Sequence, residues 1–132
     1  MFDIYCQLSN RGEIELKGQS FFSRLGFAWR GLVATFLHEA SFRTQVLAAL
    51  VVTSLLIFIR PPLIWVALIS VIIGLILATE LLNTALEHTL DGLHPEKANF
   101  VRLAKDCAAA SVLVLSLCSV IIFLLMLIEV YA

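Results

Sequence analysis

Charged residues are so unevenly spaced along the chain that their gaps divide it. The stretch TQVLAALVVTSLLIFI (44–59) is uncharged, LIWVALISVIIGLILA (63–78) is uncharged, and a third uncharged run extends from Cys107 to Ile128. A bilayer core needs about 20 apolar residues per helix. The runs therefore predict three membrane spans, at about 44–59, 63–90 and 106–128, the second keeping helical composition well past Ala78. Arg60 and the pair Pro61-Pro62 end the first span, because proline lacks an amide donor and disfavours helical backbone in the residue before it. Gly92, His94 and Pro95 predict the turn between the second and third.

Ahead of the spans the pattern changes. Phe22, Leu25, Trp29, Leu32, Val33, Phe36 and Leu37 recur at intervals of three and four, while Arg24, Arg30 and Glu39 interrupt the run too early for a span. This predicts an amphipathic surface helix over about 20–40, with Trp29 suited to headgroup depth. Residues 1–18 are polar and mixed, with no signal-peptide pattern, and read as an extension on the cytoplasmic side. Residues 19–132 form one integral-membrane domain.

Composition agrees with this picture. The chain has 132 residues, 61% of them hydrophobic and 14% charged, and its mean hydropathy is +0.98, outside the soluble globular range. A net charge of -1 leaves no basic face for counterion release, which argues against a nucleic-acid partner. Cys6, Cys107 and Cys118 lack metal-type spacing and read as packing thiols. His38, His88 and His94 fit no compact zinc motif.

Orientation follows from lysine and arginine. Arg11, Lys17, Arg24, Arg30 and Arg43 precede the first span, and Lys97, Arg102 and Lys105 lie between the second and third. The loop between the first two spans holds only Arg60, and the tail holds neither residue type. The positive-inside rule then puts the amino terminus and the second loop in the cytoplasm.

The second span ends in TELLNTALEHTLDGL (79–93), where a membrane helix acquires acids. At 100° per residue Glu80, Asn83 and Glu87 lie within about 60° of one another, and Asp91 continues the stripe. Solvated helix-end acids would account for Asp91 and in part for Glu87. Glu80 lies about two turns deeper, and charges at depth usually face a bundle interior or a wet cavity. Two chemistries fit: acids handling a divalent cation and a hydroxyl proton on a phosphate-bearing substrate, or acids carrying ions or protons across the bilayer. Clustering at one face together with Lys105, and the lack of charge in the other spans, favours interfacial chemistry. No GxxxxGK[ST] or kinase Gly-rich loop is present.

ELLNTALEHTLD (80–91), RLAKDCAAASVLV (102–114) and AWRGLVATFLHEASFR (28–43) together resemble the small bacterial integral-membrane diacylglycerol kinase family, which includes undecaprenol kinases. The resemblance covers about residues 20–128 and implies an ATP-dependent lipid kinase of the bacterial inner membrane, a homotrimer with active sites shared between protomers. It implies Glu80 as general base with Asn83 beside it, and Glu39 and Glu87 as ligands of Mg²⁺. Nucleotide contacts would come from Glu39, Glu87, Asp91, Lys105 and Asp106, and lipid-substrate contacts from Glu80 and Trp29. EASFR looks nearer the diacylglycerol branch, while NTALEHTLD and AKDCAAAS look nearer the undecaprenol branch. Diacylglycerol, giving phosphatidic acid, is the leading acceptor and undecaprenol the alternative; a small ion or proton carrier is the alternative of another class.

Overall fold

A computed structural model describes residues 20–93 and 98–132. The expected extension at 1–18, Cys6, His94 and Lys97 lie outside the described residues. The described chain is all helical: α1 (Phe21–His38), α2 (Ala40–Ile59), α3 (Leu63–Leu93) and α4 (Asn99–Tyr131). The last three are long and apolar enough to cross a membrane. The protein is thus an all-α, multi-pass membrane protein. Each of these helices extends past its uncharged run at one end or both, since backbone hydrogen bonding does not stop where the lipid boundary does.

The chain forms two compact units that divide between Val33 and Ala34. In the first, α1 begins at a serine cap, where the Ser20 hydroxyl oxygen accepts from the Ser23 amide at 3.4 Å, the N3 bond that capping serines characteristically make. Its apolar side chains are exposed, Phe22 and Trp29 among them. On its other side the Arg30 guanidinium lies 4.7 Å over the Phe27 ring.

In the second unit α3 is central and packs against both α2 and α4. Leu56 of α2, Ile69 of α3 and Met126 of α4 form the buried core, with Val52, Trp65 and Phe123 packed around them. The hydroxyls within the spans mostly return to their own helices. Thr44, Ser54, Ser70, Thr79 and Ser116 each donate to the carbonyl four residues back, at 2.7–3.0 Å. Such bonds let a polar residue sit in an apolar helix without an orphaned donor.

The α2–α3 turn bears out the proline reading. Arg60 takes a left-handed conformation, φ 52° and ψ 53°, as the C-cap of α2, its amide donating to the Leu56 carbonyl; α3 starts directly after Pro62. Between α1 and α2 the sequence gives no comparable signal. The helices are separated by Glu39 alone, with φ -103° and ψ 115°, where periodicity had suggested one surface helix continuing to about 40. Arg43 stabilises the break: its Nη1 donates to the carbonyls of Phe36 at 3.3 Å and Leu37 at 3.0 Å, two acceptors that the end of α1 would otherwise leave unmet.

Candidate active site

The acidic stripe of α3 faces a cleft rather than the outside of the bundle. Ser41 and Gln45 from α2, Glu80, Asn83 and Glu87 from α3, and Val112 and Ser116 from α4 are among its lining residues, and its volume is about 410 Å³. The helical period explains the convergence. Residues 41 and 45, the α3 stripe, and 109, 112, 113 and 116 are each spaced by three or four along their own helix, so each helix turns one face inward.

Depth sorts the acids. Glu80 is 4% exposed, and its carboxylate has no protein hydrogen-bond partner among the described residues. Asn83, one turn on, donates from Nδ2 to Glu87 Oε1 at 3.1 Å, while its Oδ1 is buried without a partner. Glu87 is half-buried and Asp91 exposed. A carboxylate buried beside an unspent amide acceptor is costly unless something polar completes the site.

Glu39 owes its position to the break between α1 and α2. Its Oε1 lies 3.4 Å from His88 Nε2, so the break brings a second carboxylate to the α3 turn that carries Glu87. Asp91 and Lys105 are an ion pair bridging α3 and α4. Asp106, the next residue along α4, is exposed. Trp29 lies in the first unit, 67% exposed, where it lines a shallow apolar hollow of α1 with Phe22, Leu25 and Leu32.

No three His, Cys, Asp or Glu side chains among the described residues gather closely enough to hold a metal unaided. Magnesium does not need such a set, because it keeps several waters and is held by one or two carboxylates together with substrate phosphates. Glu39 and Glu87 are hard oxygen donors, each with one oxygen left open by its protein partner, and that donor chemistry fits magnesium.

Sequence reading missed four features of this region: the cleft residues Ser41, Gln45 and Ser116, and the Arg43 clamp. The first three had a faint signal in polar side chains three or four residues from apolar inward positions. The clamp had none, since it joins residues six and seven apart across a break that no glycine or proline announces.

Comparison with known proteins bears on this geometry. The family model described as prokaryotic diacylglycerol kinase matches residues 26–127. A protein named diacylglycerol kinase from Escherichia coli K12 is 29% identical over 77% of this chain and 84% of its own length. One named undecaprenol kinase from Bacillus subtilis 168 is 35% identical over 80% of this chain and 85% of its own length. A Haemophilus influenzae diacylglycerol kinase is 32% identical over 71% of this chain and 79% of its own.

Proposed function

Since the chain belongs to the prokaryotic diacylglycerol kinase family and is a membrane lipid kinase, we propose that it transfers the γ-phosphate of Mg·ATP to the hydroxyl of diacylglycerol, giving phosphatidic acid. A kinase assignment also displaces the ion-carrier alternative raised by the acidic stripe. The observation that carries the reading is Glu80, a buried carboxylate lining a cleft with Asn83 and Glu87 at the end of an otherwise apolar helix.

Glu80 takes the proton of the lipid hydroxyl as its oxygen bonds to the γ-phosphorus and the bond from that phosphorus to the β-phosphate oxygen breaks, releasing ADP. Asn83 has its Nδ2 committed to Glu87 and its Oδ1 turned to no protein group, so it holds Glu87 in place while keeping an acceptor free beside the base. Glu39 and Glu87 would hold magnesium, which when bound would supply charge neutralisation at the phosphates. Lys105 exchanges Asp91 for phosphate oxygens, with Asp91 and Asp106 completing the nucleotide contacts. Trp29, exposed on the amphipathic α1, suits headgroup depth and contacts the lipid substrate.

The arginine and lysine distribution supports a cytoplasmic amino terminus and second loop in the inner membrane, the side where ATP is found. Glu80, Asn83 and Glu87 line a cleft that the three helices of one chain leave open, and polar groups at membrane depth favour closure by a neighbouring protomer, which supports self-association as a homotrimer with shared sites. Undecaprenol remains a second reading because the 35%-identical relative bears that name. The deciding experiment presents purified protein in lipid vesicles with labelled ATP and, separately, diacylglycerol and undecaprenol. Labelled phosphatidic acid supports the proposal, and label on undecaprenol alone replaces its acceptor.

A further inference from the structure

The polar cleft does not end blindly. Below it, towards the α2–α3 turn, the same three helices enclose an apolar groove of about 210 Å³, lined by Ala49, Val52, Ile72, Ile76, Phe123 and others. Gln45 lines both spaces. Its side chain therefore sits at the seam where an acidic, polar chamber becomes hydrocarbon.

That amide is conspicuous for what it does not do. The hydroxyls of Thr44, Ser54, Ser70, Thr79 and Ser116 satisfy themselves on their own helices. The Gln45 side chain is half-buried and has no hydrogen-bond partner among the described residues. Two N–H donors and a carbonyl are left available to a ligand where the two spaces meet. Glu80 and the Asn83 Oδ1 across the cleft supply acceptors only, and the Ser116 hydroxyl is already spent on Val112; Ser41 and Gln45 are the donors that α2 brings to the cleft, and of the two Gln45 alone also lines the apolar groove.

A ligand that fits this order of surfaces has a hydroxyl for Glu80, a hydrogen-bond acceptor a few bonds from it, and hydrocarbon beyond. Diacylglycerol has that order, with an ester oxygen on the carbon next to its free hydroxymethyl group and the ester carbonyl one bond beyond. A polyprenol has a hydroxyl followed by hydrocarbon and nothing for an amide to donate to. We propose that Gln45 is a specificity-determining residue whose side-chain N–H donates to an ester carbonyl of the acceptor lipid, selecting glycerolipid over polyprenol. The inference rests on the diacylglycerol reading above and assigns its acceptor preference to one side chain.

The test removes the hydrogen bond from each side in turn. Full-length protein in vesicles receives labelled ATP and either 1,2-diacylglycerol or the 1,2-dialkylglycerol of equal chain length, which keeps the hydroxyl and chains but lacks the carbonyls; undecaprenol is a third acceptor. Wild type should favour ester over ether by about tenfold in kcat/KM, the worth of one hydrogen bond at the upper end of its net range. Gln45→Leu should bring that ratio to within about twofold of unity, as should Gln45→Met, whose length is closer to glutamine should the leucine variant fold poorly. An ester preference that is the same in wild type and both variants, or no preference in wild type, overturns the role of Gln45. Label on undecaprenol but neither glycerolipid overturns both the inference and the acceptor proposed above, while label on no lipid overturns the lipid-acceptor reading as a whole.

Discussion

Asn83 and Glu87 are joined by a 3.1 Å hydrogen bond from amide to carboxylate, one turn apart on α3. The bond spends one oxygen of Glu87 and leaves the other without a protein partner, while Glu39 keeps one oxygen open beside His88. Two carboxylates each half committed to protein and half available suit a cation that also takes phosphate oxygens and water.

That pairing sets the first prediction. Glu39→Gln and Glu87→Gln should each raise the Mg²⁺ concentration for half-maximal activity by about tenfold or more, since ligand loss commonly costs that much or more. Titration of activity with Mg²⁺ at fixed ATP checks it. Wild-type curves for both variants would remove these residues from the metal site.

Glu80 is tested by separating chemistry from binding. Glu80→Gln keeps volume and removes the proposed base, so turnover should fall about 100- to 10,000-fold with Mg·ATP affinity retained. Thermal stability should stay level or rise, because a buried amide avoids the desolvation cost of a carboxylate. Turnover near wild type would rule Glu80 out as the base, and a collapsed oligomer would make it structural.

Arg43 should act on Glu39 through the backbone. Arg43→Gln loosens the cap on α1, with a stability loss of about 1 kcal/mol, and should shift the Mg²⁺ requirement in the same direction as Glu39→Gln. Arg43→Lys, able to reach at least one carbonyl, should recover part of both effects. A stability loss with an unaltered Mg²⁺ curve would mean the clamp does not position Glu39.

Lys105 and Asp91 form an ion pair in which the lysine is 31% and the aspartate 62% exposed. Exposed pairs are worth little, roughly 0–1 kcal/mol, so Asp91→Asn should barely change the melting temperature. Lys105→Gln should raise the KM for ATP about tenfold while leaving the KM for lipid near wild type. Equal rises in both would argue against a phosphate role.

Shared sites are tested by mixing. Inactive Glu80→Gln and inactive Glu39→Gln chains, co-assembled, should regain measurable turnover if one site draws on two protomers. No recovery in oligomers shown to contain both chains would favour sites complete within each protomer.

Hydrophobic periodicity by itself determined that this is a three-span, all-α membrane protein with an amphipathic helix in front, because lipid imposes length and apolarity on any helix that crosses it. The acidic stripe was also readable, since residues 80, 83 and 87 share a face on any helix. What faces the stripe was not. Ser41, Gln45 and Ser116 become cleft residues only because α2 and α4 turn those faces toward α3, a matter of which helix packs where. The break at Glu39 likewise depends on Arg43 reaching back to Phe36 and Leu37, and the pairing of Asp91 with Lys105 spans 14 residues and two helices. Local pattern specifies which side of a helix is polar. Only packing decides which other polar side chains that side meets, and in a membrane, where hydrophobicity no longer distinguishes one helix neighbour from another, that choice rests on side-chain shape and hydrogen bonds.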